Sequence, residues 1–325
     1  MEYTQLGATG LKVSRLCFGC MSFGDPARGN HSWVLTEDQA KPFYRDAFEA
    51  GINFFDTSDY YSIGVSEEVL GRAMREHSTR EQTVIATKVG LDMELGPNGV
   101  GLSRKHILEA VDASLKRLGT DYIDLYYVHR LDRQTPMEET LEALDHVVRQ
   151  GKVLYLGCSS AWTWQFAKMR EFQKANSLAR FSVMQNFYNL LYREEEREMI
   201  PYCRSEGVAL VPWSPLARGF LAGNKPKTGE ATKRGTSDQL SAGYFGTPQD
   251  YKILAKVESV AAKLGVKPAQ VALAWTASKV DCPIIGTTKP HHLSDALEAL
   301  DLTLSAAQIK SLESAYAPRP VMGHA

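Results

Sequence analysis

The sequence predicts an α/β protein of the (β/α)8, or TIM-barrel, class. Three observations carry that prediction. Eight short apolar runs alternate with segments of helical spacing along 325 residues. The runs are apolar almost without interruption, as in Val208-Ala209-Leu210-Val211, which suits strands buried on both faces of a parallel sheet. Ionisable residues close three of them: Asp56, Lys88 and His129. The carboxyl ends of barrel strands meet at one rim, where active sites sit. No break in composition divides the chain, so residues 1–325 are expected to form one barrel domain.

A hairpin around Tyr3 to Leu6 and Lys12 to Ser14 precedes the barrel. Strands are expected at 16–20, 52–56, 83–88, 123–128, 153–158, 181–186, 208–213 and 283–286. Ser66 reads as the N-cap of the helix after the second strand, with Glu67 and Glu68 in the first turn that the helix dipole favours. Ser103 reads as the cap of a helix whose Ile107, Leu108, Val111, Leu115 and Leu118 share one stripe, and Gly119 ends it. A further stripe of Ile253, Leu254, Val257, Val260 and Leu264 stops at Gly265. An extra helix, with Pro268 in its first turn and Val271, Ala272 and Trp275 along it, comes before the last strand. The stretch from about Gly219 to Asp250, after the seventh strand, is polar and too long for an ordinary connection, so it reads as a functional loop. Pro318 to His324 reads as an irregular tail.

A net charge of −1 and a pI of 6.7 give no electrostatic case for nucleic acid or an anionic membrane surface. No apolar run approaches the roughly 20 residues that span a bilayer. The start, Met1-Glu2-Tyr3-Thr4-Gln5, lacks the features of a signal peptide. Five scattered cysteines fit a reducing cytoplasm. Cys17 and Cys20 form a C-x-x-C pattern, but within a strand rather than at a helix start, and no second pair completes a zinc site. Glu194 to Glu196, flanked by Arg193 and Arg197, reads as a solvated charge run. His291 and His292 are adjacent, so on a helix they diverge by about 100° and do not make a ligand pair.

The rim residues suggest proton chemistry. Tyr61 follows Asp56 by five residues on the loop leaving the second strand. A phenol titrates near pH ~10, and an ammonium beside it favours the phenolate and lowers that value. Lys88 can supply the ammonium, Asp56 can hold Lys88 charged and fixed, and His129 can bond a substrate oxygen or help relay the proton. Singly, each has a structural explanation: an ion pair, a loop aromatic, a core histidine. Their joint order on neighbouring strands reads as a site that gives a proton to a carbonyl oxygen.

Phe55-Asp56-Thr57-Ser58-Asp59-Tyr60-Tyr61-Ser62, followed by Gly64 and Ser66-Glu67-Glu68, resembles the block around the catalytic aspartate and tyrosine of the aldo-keto reductases. Ala86-Thr87-Lys88 and Tyr127-Val128-His129-Arg130 resemble the other two catalytic blocks. Val153 to Ser160, Met184-Gln185-Asn186, Pro212 to Leu216 and Ile284-Ile285-Gly286-Thr287 resemble the cofactor blocks. The similarity spans nearly the whole chain. It is nearest to bacterial members related to aryl-alcohol dehydrogenases and potassium-channel β-subunits.

The resemblance implies reduction of aldehydes or ketones by NADPH, with NADH possible, Tyr61 as proton donor, and Asp56, Lys88 and His129 in support. It implies a nicotinamide carboxamide on Ser159, Ser160 and Gln185, and a nicotinamide ring against Trp213, an indole being a good platform for a flat ring. Ser214, Pro215, Leu216, Arg218 and Gly219 would line the pyrophosphate, and Gly19, Cys20, Met21, Ile285, Gly286, Thr287 and His292 would complete the cofactor site. Relatives often carry a cation near Gly286 and His292 for the 2′-phosphate; here Arg234, or less directly Lys289, would supply it. Phe23, Tyr60 and Trp162 are expected to wall the substrate pocket. No metal is expected. The alternative is a redox-sensing partner subunit with little turnover. A metal-dependent hydrolase lacks an H-x-H at the first strand. Oligomeric state is not legible.

Overall fold

The computed structural model describes residues 1–29, 31–223 and 244–324. β1 (Tyr3–Gln5) and β2 (Lys12–Ser14) pair antiparallel as a hairpin, Tyr3 opposite Ser14. Eight parallel strands follow: β3 (Cys17–Gly19), β4 (Phe54–Asp56), β5 (Val84–Val89), β6 (Ile123–Val128), β7 (Val153–Ser159), β8 (Phe181–Gln185), β9 (Ala209–Leu210) and β10 (Ile284–Gly286). They pair in chain order from β3 to β9, and β10 pairs with β3. The ring closes through Ile284 N donating to Pro212 O at 3.0 Å and Cys282 N donating to Leu210 O at 3.3 Å. This is the (β/α)8 barrel that the alternation of runs predicts.

Strand alternation builds two cores. Cys17, Phe54, Val84, Ala86, Leu125, Tyr127, Val183, Ala209, Val211 and Ile284 form the barrel interior, which Leu6 and Val13 of the hairpin join. The intervening residues, Phe18, Phe55, Ile85, Tyr126, Leu156, Met184, Leu210 and Ile285, pack outward against the helices. Both faces are therefore buried, which is why the strands read as continuous apolar runs rather than as alternating ones.

The helical layer comprises α1 (Glu37–Glu49), α2 (Val65–His77), α3 (Arg104–Leu118), α4 (Met137–Arg149), α5 (Thr163–Ala175) and α6 (Met199–Ser205), then α7 (Pro248–Leu264), α8 (Pro268–Ala277), α9 (His291–Leu300) and α10 (Ala306–Glu313). Ser103 caps α3 by accepting from His106 N at 3.2 Å, and Gly119 ends it at φ 67°. Gly265 ends α7 at φ 68°. α2 departs from expectation. Its N-cap is Gly64 at φ 88°, a left-handed conformation that disfavours other residues. Ser66, one residue inside, instead donates its hydroxyl to Cys20 O and receives that of Thr57, tying α2 to the rim. Gly71 lets α2 meet α3, since a Cβ there would stand 2.2 Å from Leu118 O.

The charge run at 194–196 also departs from expectation. Glu195 is buried, bonded by Asn186 Nδ2 at 3.0 Å and His324 at 3.1 Å. Glu194 takes the Tyr316 hydroxyl and the Arg319 amide. The C-terminal tail folds back over these carboxylates and excludes water from them. Sequence proximity of like charges gave no sign of that cover.

Candidate active site

Strand parity aims the site. Along each barrel strand the residues in step with the inward apolar side chains also point inward, and the one nearest the carboxyl end faces the mouth. That rule selects Gly19, Asp56, Lys88, His129, Ser159, Gln185, Trp213 and Gly286, one from each strand or its immediate continuation. All but Lys88 line a cleft of about 1340 Å³ at the carboxyl rim. The volume exceeds the roughly 300–1,000 Å³ of ordinary small-molecule pockets, leaving room for two ligands side by side.

Lys88 lies beneath the cleft floor with its side chain fully buried. An ammonium has three donors, and all three are accounted for. Nζ donates to Asp56 Oδ1 at 2.6 Å, to Thr57 O at 2.7 Å and to the Tyr61 hydroxyl oxygen at 3.2 Å. The second Asp56 oxygen accepts from Gln185 Nε2 at 2.7 Å. Burial by itself would lower the Lys88 pKa, but Asp56 and then Tyr61 outweigh it, and the net direction is up. Lys88 is thus a fixed cation. A buried pair of this kind survives because its geometry and added hydrogen bonds offset the loss of hydration.

Tyr61 accepts from Lys88, so its own hydroxyl hydrogen is left to donate elsewhere. Lys88 does favour the phenolate, as its position in the sequence leads one to expect. Burial outweighs it, however, and the Tyr61 pKa moves up rather than down. The phenol is held protonated until something at the cleft draws the proton off. His129 stands edge-on to the Tyr61 ring, centroids 5.8 Å apart at 85°, and its Nδ1 lies 3.1 Å from Ser58 Oγ. Burial, then Lys88 and Arg130, push the His129 pKa well below its usual value, so the imidazole is neutral.

Gln185 spends its amide nitrogen on Asp56, which leaves its side-chain oxygen as an acceptor at the cleft. Ser159 lines the cleft and donates to Gln185 O at 2.9 Å. Ser160 is buried behind it and accepts from Trp213 Nε1 at 3.0 Å, fixing the indole. Phe187 stacks on Trp213 at 4.3 Å and 18°. Beyond Trp213 the wall is Ser214, Pro215, Leu216, Arg218 and Gly219. Ser214, Ala217 and Arg218 have φ between 49° and 56°, left-handed values uncommon outside glycine, and Gly219 follows at φ 97°. Such backbone makes concave amide surfaces suited to anions. A nicotinamide dinucleotide fits this donor set: amide acceptor, flat indole and strained loop follow one another along a single cleft.

Met21, Ile285 and His292 line the cleft as well. His292 Nδ1 accepts from Thr288 N at 3.2 Å, and its ring diverges from that of His291 by 88°. Cys20 and Thr287 are buried and contribute no lining surface, and Cys20 starts a short 3-10 turn rather than continuing β3. The five cysteines are free and buried. Among the described residues no group of His, Cys, Asp or Glu could hold a metal, and no helix is long and apolar enough to cross a membrane. Arg234 lies outside the described residues.

Tyr60 lines the cleft, whereas Phe23 is buried in an aromatic cluster with Phe18, Phe43 and Tyr44. Trp162 meets the tail edge-on at His324, centroids 5.0 Å apart, outside the cleft wall. Sequence reading did not single out His31, Trp33 and Tyr244, nor His324 as a wall, although all four line the cleft. They come from the loop before α1, the segment before α7 and the tail, which carry no periodic signal. Lys267, also at the cleft, pairs with Asp295 at 2.6 Å.

Residues 15–317 match the model of the aldo/keto reductase family. The chain is similar to the versiconal hemiacetal acetate reductase of Aspergillus parasiticus, at 42% identity over 99% of this chain and 98% of the relative. It is 44% identical to a Schizosaccharomyces pombe protein named as an aryl-alcohol dehydrogenase candidate, over 99% and 97%. It is 40% identical to an aldo-keto reductase of Fusarium vanettenii, over 100% and 93%. These three and five further relatives are fungal, which corrects the expectation of a bacterial branch; the aryl-alcohol dehydrogenase likeness stands.

Proposed function

The chain belongs to the aldo/keto reductase family and is an oxidoreductase of aryl-alcohol dehydrogenase type, and from that premise we propose that it reduces aldehydes or ketones to alcohols with NADPH. One observation carries this reading: every Lys88 donor is spent, one of them on the Tyr61 oxygen, so the Tyr61 proton is the one left to give. When bound, the reduced nicotinamide supplies a hydride to the carbonyl carbon. Tyr61 donates its proton to the carbonyl oxygen as charge develops there. Lys88 stabilises the phenolate that remains, and Asp56 keeps Lys88 in place. The neutral His129 bonds the same oxygen and orients it. Gln185 and Ser159 hold the carboxamide, and Ser160 holds Trp213 as the stacking surface.

Tyr60, Trp33, Trp213 and Tyr244 at the cleft support an aromatic carbonyl as substrate. The aryl-alcohol name of the Schizosaccharomyces relative points the same way. Lys267, Lys289 and His292 at the adenosine end support NADPH over NADH. Free cysteines support a reducing, cytoplasmic setting. The test is NADPH consumption with an aromatic aldehyde. Tyr61→Phe should lose about 10²- to 10⁴-fold in kcat, the range for a positioned acid, while binding NADPH as tightly as the parent. Unchanged turnover in that variant would remove the proposed donor.

A further inference from the structure

Asp59 is a buried carboxyl that the mechanism above does not use. It is 1% exposed. Its Oδ1 lies 3.2 Å from Ser58 Oγ, and its Oδ2 has no hydrogen-bond partner among the described residues. Ser58 Oγ is in turn 3.1 Å from His129 Nδ1 and accepts from Tyr60 N at 3.2 Å. Two oxygens and one ring nitrogen thus form a line from a buried acid to the rim histidine.

We infer that Asp59 and Ser58 are positioning residues that fix the ring tautomer of His129, and so decide whether its Nε2 donates to the substrate oxygen or only accepts. This rests on the carbonyl-reducing reading of the site. The argument is a count of hydrogens. Ser58 has one to give, and Tyr60 N already occupies one of its lone pairs. With Asp59 protonated, Asp59 donates to Ser58, Ser58 donates to His129 Nδ1, and the neutral ring carries its hydrogen on Nε2. That hydrogen meets the carbonyl oxygen and favours reduction. With Asp59 ionised, Ser58 must donate to Asp59 and accept from His129 Nδ1–H, which leaves Nε2 a bare lone pair facing an oxygen. The change balances: Nε2 loses one proton to solvent, the Asp59 hydrogen passes to Ser58, and the Ser58 hydrogen passes to Nδ1.

The surroundings favour the protonated acid near neutrality. Glu67 on α2 faces Asp59 with its carboxylate. Arg117 on α3, the cation close by, is engaged by Glu67 at 2.6 Å, and Thr87 donates to the same Glu67 at 2.6 Å. Tyr126 on β6 adds a buried phenol to the same surroundings. Burial first, then Glu67, push the Asp59 pKa up to about 8, against the smaller pull of Arg117, Ser58 and the Tyr60 amide. His129 itself is faced by Lys88 and Arg130 and by the Tyr60 and Tyr61 rings, all of which hold it neutral or leave it so.

Two measurements test this. In protein with ¹⁵N-labelled histidine, His129 assigned by loss of its signals in His129→Gln, the ring should hold its hydrogen on Nε2 at pH 6.5 and on Nδ1 at pH 9.5. Asp59→Asn, whose amide can donate to Ser58 at every pH, should keep it on Nε2 throughout. In turnover, the parent should lose kcat above pH 8, about tenfold per pH unit, and Asp59→Asn should not. Ser58→Ala should abolish the same limb and lower the plateau several-fold. A His129 tautomer that is constant from pH 6.5 to 9.5 in the parent, or that still changes in Asp59→Asn, overturns the inference. Because the spectra need no substrate, that failure is separate from a failure of the proposed reaction.

Discussion

The two ends of the cleft are built on opposite rules. At the barrel mouth, Asp56, Lys88, Tyr61 and Gln185 are buried and their hydrogen bonds can be enumerated almost without remainder. At the other end, where the proposed function places the adenosine, the Lys267–Asp295 pair is more than half exposed on its lysine side, and Gly286 adds no side chain. A buried charge that loses its partner is costly, whereas an exposed one is rescued by water. On the proposed function, the mouth that would carry the reaction is therefore intolerant of change, and the end that would choose between cofactors is tolerant of it. Chemistry can stay fixed while cofactor preference drifts.

Substitutions can break or sharpen this contrast. The largest effect is expected for Lys88→Met, which strands Asp56 as an uncompensated buried charge: about 3–5 kcal/mol of stability in urea unfolding, and loss of nearly all turnover. Stability within 1 kcal/mol of the parent would mean that the pair is far less desolvated than its geometry implies. Asp59→Asn should act in the other direction. Burial and then Glu67 push the native acid up to about 8, well above the usual carboxylate range of ~4, so across that interval the native state holds a proton that the unfolded state lacks. Parent stability falls as pH rises through that window, and the variant should be more stable by up to roughly 5 kcal/mol at pH 8, the gain vanishing toward pH 4. Equal gains at both pH values would discount the shift.

Smaller again, Trp213→Leu should weaken cofactor binding by about 1–2 kcal/mol through loss of the stacking face, read by fluorescence titration. Lys267→Ala and Lys289→Ala should each raise the KM for NADPH by no more than several-fold, leave that for NADH unchanged, and matter less at high salt. A hundredfold effect from either would place a dominant phosphate contact at this end and remove the contrast.

The barrel and its rim were legible in the chain before any contact between distant residues was known. Apolar runs at strand length, Ser103 and Gly119 at helix ends, and polar residues at the close of three strands follow from periodicity, capping and parity, which are local. Parity alone carries Asp56, Lys88, His129, Gln185 and Trp213 to one mouth once the ring closes. The rest arose with folding. Burial of Glu195 depends on a tail 129 residues away. The upward shift of Tyr61, against the pull of Lys88, depends on how much water the surrounding side chains exclude. The upward shift of Asp59 depends first on its burial and then on the Glu67 carboxylate that faces it from α2. Cleft walls such as Trp33 and Tyr244 sit on segments without a repeat. Hydration and charge pairing are set by neighbours distant in the chain, and those neighbours exist only after folding.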